Sequence, residues 1–366
     1  MKHFKLYYKL AIIALATIAT FAVSALILTV LGANVLDTFY VIFVYPLTNL
    51  INFSEVINRM TPLCIVALGI CVAYRSGIIN IGGEGQMTVG LLLTIVVILF
   101  TDLPRPVIVP LALLCGIAGG ALWGFVPGAL KAKFGVSELL STVMLNYIAA
   151  QIYAYCLRVP LLDPTVVGGA GDPQTMKLAK TAWLSKLNGW IPRTSMHTGI
   201  FIALGLAVLI YLFMWRTSFG YKMRAAGSSE RAARYGGINV SKYLVLAMLI
   251  SGGCAGLAGA IEVMGVHHRG VMSITGGYGF SGIVVALFGG LHPAGIIPAA
   301  FLFGLLQYGA SALQIMGIPV PSNMVDVLQG IVILVIVATK MILQNPYLMD
   351  RARRRVESML CRKAGA

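Results

Sequence analysis

Long runs of apolar residues, separated by short polar segments, recur along almost the whole chain. A helix needs roughly 20 apolar residues to cross the hydrocarbon core of a bilayer. Hydrophobic residues make up 58% of the chain and charged residues 11%, whereas about 25% are charged in an ordinary soluble domain. The sequence therefore predicts an all-α polytopic membrane protein. It excludes a disordered chain, a secreted disulfide scaffold and most soluble enzymes.

The apolar runs predict about ten transmembrane helices. They cover residues 10–32, 59–76, 85–101, 107–129, 138–157, 199–215, 244–266, 278–290, 294–313 and 325–343. An even number of spans places both termini on one side, and most of the 27 Lys and Arg residues fall on that side. Because cytoplasmic loops collect Lys and Arg, we expect both termini in the cytoplasm. Residues 1–366 then form one transmembrane domain in the cell membrane.

Four segments lie between or beyond these spans. Residues 37–58 are aromatic and apolar but short, which favours a helix lying in the outer interface. Residues 158–198 form the longest outer loop, and residues 216–243 form a basic loop on the cytoplasmic side. The basic tail, 344–366, is expected to contact anionic lipid of the inner leaflet.

The first interruption of the apolar pattern runs from Arg75 to Gln86 and contains four glycines. Glycines favour a turn or an unwound helix, so Asn80, Glu84 and Gln86 come close to the hydrocarbon region. Polar groups at that depth usually line a cavity or pair with one another. The alternative is a loop at the inner face, in which Glu84 caps the next helix. The two interpretations are compatible.

A second interruption, 267–282, follows Glu262 near the outer end of its span. Glu262 either lines a pathway or pairs with Arg269. Divided into two sets of five, the ten spans carry a break after the second helix of each half. Since five is odd, the halves would have opposite orientations, as in transporters built from inverted repeats. We therefore expect an inverted five-helix repeat.

Small residues recur at every fourth position in two spans. They are Gly116, Gly120, Gly124 and Gly128 in one span and Gly252 and Gly256 in another. This spacing lets helix backbones approach closely. Asn146 is a polar residue within a span, where it either makes an interhelical hydrogen bond or contacts a solute.

The cytoplasmic loop contains a short predicted helix over 230–235. Ser228 or Ser229 can cap its start, and Gly236 and Gly237 can end it. The small side chains of Ala232 and Ala233 make this helix thin enough to enter a groove on a partner. The alternative is a basic loop that only follows the positive-inside rule.

Motifs of covalent chemistry are not found in the sequence. It contains no phosphate-binding loop, HExxH motif or GxSxG motif, so we expect no enzyme activity of its own. The six cysteines are scattered, most of them within apolar stretches, and suit packing, and the two adjacent histidines lack a third metal ligand. The net charge of +15 is better explained by membrane topology than by nucleic acid.

Three segments, in order, resemble the permease subunits of bacterial ABC importers. They are Asn80–Gln86, the loop from Gly227 to Ile238, and the segment from Gly279 to Pro293. The closest branch is the simple-sugar and nucleoside permeases, in particular the longer permease of nucleoside importers. The resemblance runs from about residue 59 to residue 343.

This resemblance implies partners and a coupling segment. A second permease subunit would pair with the chain as a heterodimer, ABC ATPase subunits that use ATP and Mg would dock beneath, and an external solute-binding protein would deliver the solute. The chain itself would bind no cofactor. The ATPase-coupling residues implied are Gly227, Glu230, Ala232, Ala233, Arg234, Tyr235 and Gly237, followed by Ile238.

The leading hypothesis is a permease that moves a nucleoside or simple sugar, with Asn80, Glu84, Gln86, Asn146 and Glu262 lining or gating the path. An ion-coupled secondary transporter is the main rival, in which Glu84 or Glu262 carries protons. An intramembrane enzyme and a scaffold subunit without its own path are the remaining alternatives.

Overall fold

The computed structural model of the protein consists of helices joined by short segments. It describes residues 2–30, 32–166, 172–189 and 192–318, with seven further helical residues between 327 and 339. The α-helices are α1 Lys2–Val30, α2 Val35–Phe39, α3 Tyr45–Thr48, α4 Leu50–Arg75, α5 Gly83–Phe100, α6 Arg105–Phe134, α7 Glu138–Arg158, α8 Gly199–Arg216, α9 Ser218–Ser228, α10 Glu230–Tyr235, α11 Val240–Glu262, α12 Tyr278–Phe288 and α13 Pro293–Ile315. Two π-helical turns, Tyr40–Val44 and Val263–His267, follow α2 and α11.

Seven helices in the described part of the chain are long and apolar enough to cross a membrane: α4, α5, α6, α7, α8, α11 and α13. The predicted fold class, an all-α polytopic membrane protein, is confirmed. The first predicted span falls on α1, in which Ile18–Val30 is the shorter apolar part. Most of the tenth predicted span, 325–343, and the tail 344–366 lie outside the described residues.

The eighth predicted span is a half-length helix. Helix α12 has 11 residues, which corresponds to about 16 Å at the helical rise per residue. This is about half of the roughly 30 Å hydrocarbon core. The polar, glycine-containing segment 268–277 therefore enters the bundle in place of the missing half.

The second predicted span begins nine residues earlier than expected. Helix α4 starts at Leu50, so residues 50–58 of the predicted interfacial segment 37–58 are its first turns. Asn52, Ser54 and Asn58 are buried there, which masks the start of the span in a hydropathy pattern. Ser54 and the amide nitrogen of Asn58 form hydrogen bonds with Ser195, far away in the sequence, and these contacts help the helix to extend.

The described residues form two compact units: residues 46–305, and residues 1–45 with those after 305. In the smaller unit, Phe21, Phe39 and Phe43 form an aromatic cluster with ring centroids 5.3–6.2 Å apart. Asn34 caps α2, since its Oδ1 accepts a hydrogen bond from Leu36 N at 3.0 Å. All the candidate site residues lie in the larger unit.

The glycine repeats bring α6 and α11 into backbone contact, as their spacing predicted. A Cβ atom on Gly256 would overlap the carbonyl oxygen of Gly116, and one on Gly120 would overlap that of Gly252. Close approach of this kind strengthens van der Waals packing where lipid removes the hydrophobic driving force. These contacts place α11, which carries Glu262, against the helices of the first break.

Replacing Gly256 with Val tests this packing. The new side chain must displace the α6 backbone, and overpacking of a tight core costs about 1–3 kcal/mol. We expect a lower midpoint of thermal unfolding in detergent. Gly205→Val in α8 is the matched control, because no atom lies within 4 Å of the Cβ position at Gly205. Equal unfolding midpoints for the two variants would contradict the role of the α6–α11 contact.

Candidate functional site

The first break, residues 76–82 between α4 and α5, is held by a buried amide pair. Asn80 Nδ2 donates hydrogen bonds to Gln86 Oε1 and to Ser251 Oγ, both at 2.8 Å. Gln86 Nε2 donates in return to Asn80 Oδ1 at 3.2 Å, and Gly82 N donates to the same oxygen at 2.9 Å. The turn is therefore fixed to α5 and, through Ser251, to α11.

Asn146 fixes the same break from α7. Its Oδ1 accepts a hydrogen bond from Gly85 N at 2.9 Å, and its Nδ2 donates to the carbonyl oxygen of Ile81 at 3.0 Å. The first N–H groups of a helix have no partner inside the helix, so this side chain satisfies one of those at the start of α5. The interhelical hydrogen bond anticipated for Asn146 is present.

Glu84 joins the first break to the second. Its Oε2 accepts a hydrogen bond from Gly279 N at 2.8 Å, and its Oε1 accepts one from Gly277 N at 3.3 Å. These amides belong to the start of α12. A carboxylate at a helix N-terminus is favoured by the helix dipole and by the unpaired N–H groups. Glu84 thus caps a helix almost 200 residues away in the sequence.

Backbone contact accompanies this hydrogen bonding. A Cβ atom on Gly279 would overlap the backbone nitrogen of Glu84. The N-terminal ends of α5 and α12 therefore meet directly, and we call this contact between Gly83–Glu84 and Gly277–Gly279 the junction. Both breaks were predicted from the sequence, but their contact was not.

Glu262 lies at the end of α11 and is 4% exposed. Its Oε1 is 3.4 Å from His267 Nε2. Arg269, the partner considered from the sequence, instead donates from Nη1 to Gln174 Oε1 at 2.8 Å. The π-helical turn Val263–His267 turns His267 back toward Glu262. Sequence spacing for a regular helix does not anticipate that geometry.

The long loop 158–198 packs on the second break. Thr175 N donates to the carbonyl oxygen of Gly270 at 3.0 Å, and Leu178 N donates to that of His268 at 2.9 Å. The rings of Trp183 and His268 stack with centroids 3.8 Å apart. Residues 175–183 of this loop thus cover residues 268–271.

The coupling segment predicted on the basic loop is a pair of helices, α9 and α10. Ser229 caps α10, since its Oγ accepts a hydrogen bond from Ala232 N at 3.3 Å, and Gly236 and Gly237 end it. Glu230 and Arg234 form an ion pair at 2.6 Å on the exposed face. The helix predicted over 230–235 is confirmed.

Ala233 points into the chain and not toward a partner. It is 5% exposed and packs with Ala226 and Val240. By contrast, Tyr235 is 94% exposed, and Ala232 is exposed beside it. The surface available to a partner therefore includes Ala232 and Tyr235, and the small size of Ala233 serves internal packing.

Gly227, at the end of α9, lies against the end of α4. A Cβ atom on Gly227 would overlap the carbonyl oxygen of Arg75. The guanidinium of Arg75 in turn holds the turn after α12: its Nε donates to Leu291 O at 2.9 Å and its Nη2 to Gly290 O at 3.4 Å. Helix α9 thereby contacts the end of α4 directly and is connected through Arg75 to the turn after α12.

Several residues that make these contacts were not predicted from the sequence. Ser251 and Arg75 belong to the network but carry no motif. Glu55 and Asn58, one turn apart on α4, face the second break across a cavity. A pair of polar residues in an apolar helix was the available signal, but it was interpreted as part of an interfacial segment.

Two breaks in the apolar pattern that meet inside a bundle of spans are typical of membrane transporters. The chain belongs to the family described as "Branched-chain amino acid transport system / permease component", whose model matches residues 52–337. The resemblance to ABC importer permeases is confirmed, and with it a multi-pass membrane location.

Three curated proteins are similar to this chain over most of their length. The guanosine ABC transporter permease protein NupP of Bacillus subtilis is 36% identical, over 89% of this chain and 92% of its own length. The glucose ABC transporter permease protein TsgB13 of Haloferax volcanii is 30% identical, over 89% and 86%. A second guanosine permease protein of Bacillus subtilis, NupQ, is 29% identical, over 71% and 80%.

Replacing Glu84 with Ala tests the junction. It leaves the amides of Gly277 and Gly279 without their acceptor, and loss of a helix cap costs about 0.5–2 kcal/mol. We expect uptake into cells to fall more than the amount of permease in the membrane, while Glu84→Gln, which keeps one acceptor oxygen, loses less.

Glu138→Ala is the control for Glu84→Ala, because Glu138 also lies in the first turn of a helix but only pairs with Lys131 at 2.9 Å. Partly exposed ion pairs contribute little, so uptake should be nearly unchanged. If Glu84→Ala lowers uptake and membrane content in equal proportion, the junction has a structural role only.

Proposed function

We propose that this chain forms a transport path for a nucleoside or simple sugar, together with a second permease subunit. Separate ABC ATPase subunits bind ATP and Mg and supply the energy, and a solute-binding protein delivers the solute. The observation that carries the proposal is the continuous contact from the exposed helix α10 to the junction.

The solute class is supported by the relatives. The two guanosine permeases and the glucose permease are named for neutral, hydroxyl-rich solutes, whereas the family description refers to branched-chain amino acids. Because members of the family are named for different solutes, the names of relatives that match most of the chain are a better guide to the solute than the family description is. They favour a nucleoside or sugar for this chain.

The ATPase would contact α10. This helix is short and capped at both ends, and Ala233 anchors it to α9 and α11. Its exposed residues Ala232 and Tyr235 form a projection that suits a groove on another protein. A rigid helix transmits a displacement better than a mobile loop would.

A displacement of α10 would reach the junction by two routes. The first runs through Gly227 to the end of α4 and along residues 76–82, where Asn80 and Gln86 hold the chain, to Glu84. The second runs from Arg75 to Gly290 and Leu291 and so to α12. Movement of α9 would thus reach both α5 and α12, and a difference between the two displacements would open or close their contact.

Such coupling requires the ATPase to bind the two states of the permease with different affinity. Closure of the ATPase subunits on ATP would favour one position of α10 and hence one arrangement of the junction. Asn80, Gln86 and Asn146 have protein partners, which supports a role in positioning the break. Glu84 and Glu262 are the stronger candidates for gating and for solute contact.

The partner permease is supported by the pair of similar guanosine permeases in one organism. Two related but distinct subunits would form a heterodimer. The ion-coupled alternative with Glu84 and Glu262 gains no support from the relatives. Both oxygens of Glu84 accept hydrogen bonds from backbone N–H groups, an arrangement suited to a carboxylate that stays in place.

Reconstitution in liposomes tests the function. With the second permease and the ATPase present, ATP supplied on the side of the membrane where the ATPase lies should drive transport of guanosine or glucose delivered by the binding protein. Omission of the ATPase should abolish this transport. Uptake driven by an ion gradient with this chain alone would overturn the proposal.

Ala232→Trp and Tyr235→Ala test the coupling surface. Either change should leave the permease in the membrane but reduce uptake and the stimulation of ATPase activity by solute-loaded binding protein. Tyr155→Ala is the matched control, because Tyr155 is 62% exposed but lies at the far end of α7. Normal uptake in both variants would rule out contact at α10.

A further inference from the structure

A polar cavity of about 270 Å³ lies between the first turns of α4 and the second break. Its polar lining includes Glu55, Asn58, Arg59, Glu262, His267 and Tyr278. Ligand pockets for drug-sized molecules range from about 300 to 1,000 Å³. A cavity slightly smaller than this range suits a solute of one or two rings.

Two buried acceptor atoms in this lining have no protein partner. Within the part of the chain that the structure describes, Glu262 Oε2 and Asn58 Oδ1 accept no hydrogen bond. Both side chains are more than nine-tenths buried, at 4% and 6% exposed. Buried acceptors are costly to leave unpaired, so the occupant of the cavity must donate hydrogen bonds.

The remaining polar groups orient these acceptors. Glu262 Oε1 is near His267, which leaves Oε2 for the cavity. Asn58 Nδ2 donates to Ser195 O and Ser195 Oγ, both at 3.3 Å, and Ser195 Oγ donates to Glu55 Oε1 at 2.6 Å. The long loop, through Ser195, thus holds Glu55 and Asn58 in place, with the Asn58 oxygen directed away from this contact.

Charge and shape narrow the class of occupant. Glu55 and Glu262 place two carboxylates in the lining against the single guanidinium of Arg59, and such carboxylates repel a phosphorylated or carboxylated solute. The apolar side chains of Val266, Val271, Met272 and Ile274 complete the wall. They favour an organic ring with C–H faces over a bare metal cation, which prefers a shell of oxygen ligands.

The position of the cavity relates it to the gate. Tyr278, the first residue of α12, lines the cavity, and its neighbours Gly277 and Gly279 donate to Glu84 in the junction. An occupant therefore lies directly beside the contact that joins the two breaks.

We propose that this cavity binds a neutral, hydroxyl-rich solute, either a sugar or the ribose of a nucleoside, whose hydroxyl groups donate hydrogen bonds to Glu262 Oε2 and Asn58 Oδ1. The proposal rests on the transport function above and specifies where the permease itself contacts the solute. Glu262 and Asn58 determine specificity for hydroxyl donors, and the carboxylates of the lining disfavour phosphorylated forms of the same solute.

Thiol protection tests the proposal in the purified complex with its partner subunits, without binding protein or ATP. Met272→Cys places a thiol in the cavity wall, and its rate of modification by a charged methanethiosulfonate is measured with guanosine, uridine, D-ribose or D-glucose. At ten times Kd, at least one of them should slow modification about tenfold, because the free fraction is 1/(1 + [L]/Kd).

The controls separate binding from background. Asp102→Cys, at an exposed position between α5 and α6, should show no protection, and the parent chain reports modification of its own cysteines. Guanosine 5′-monophosphate should protect far less than guanosine, and exchange of choline chloride for sodium chloride should have no effect.

In the Met272→Cys background, Glu262→Gln should raise the Kd of the protecting solute by roughly 10- to 100-fold. This is the loss of affinity expected when a hydrogen bond to a charged group is removed. Asn58→Leu is the second variant if Glu262→Gln does not assemble, and Asp102→Asn is the matched carboxylate control. Unchanged protection in an assembled Glu262→Gln or Asn58→Leu complex would overturn the assignment.

Absence of protection by all four solutes would overturn the proposal and leave a cavity filled by water. Protection by sodium ions alone, or equal protection by the nucleotide and the nucleoside, would also overturn it. The transport function is judged separately, because ATP-driven uptake in liposomes would persist in each of these cases.

Discussion

The arrangement depends on one carboxylate that accepts hydrogen bonds from the backbone of another helix. A half-length helix inside a membrane exposes N–H groups that neither lipid nor its own turn can satisfy. Glu84 supplies the acceptors for the start of α12, with oxygen–nitrogen distances of 2.8 Å and 3.3 Å. Because Glu84 lies in the first turn of α5, the same interaction fixes the two broken helices end to end. Other contacts position each break separately, and Glu84 joins the two.

Polar side chains inside the bundle fall into two groups with different consequences. The first group has protein partners: Asn80 bonds to Gln86 and Ser251, and Asn146 bonds to the backbone of Ile81 and Gly85. The polar groups of these side chains are therefore satisfied by the protein. Glu262 and Asn58 each keep a buried acceptor without a donor. In a low-dielectric environment, polar groups with hydrogen-bond partners stabilise a single arrangement, whereas buried polar groups without partners favour the binding of a ligand that supplies them. This difference separates positioning residues from candidate solute contacts.

The proposed transmission from α10 to the junction would rely on close backbone approach. Gly227 lies against the end of α4, and Gly279 lies against Glu84, so each contact joins main chains and not flexible side chains. Arg75 adds a second connection, from α4 to the turn after α12. Packed backbones shift as units, which makes a short exposed helix such as α10 an effective place for an ATPase to act.

The sequence by itself determined the membrane class, most of the span limits, the α10 helix with its caps and the two breaks, because these follow from local hydropathy, glycine content and capping chemistry. The start of α4 at Leu50 was not visible in this way, since Asn52, Ser54 and Asn58 interrupt the apolar pattern and are buried only in the tertiary structure. Sequence spacing suggested Arg269 as a partner of Glu262, but the π-helical turn brings His267 there instead. Only the tertiary structure decided that Ala233 is internal, that Glu84 caps α12 and that Glu55, Asn58 and Glu262 surround one cavity. These pairings join residues up to about 200 positions apart, and no local pattern encodes which distant backbone amide or acceptor a side chain will meet.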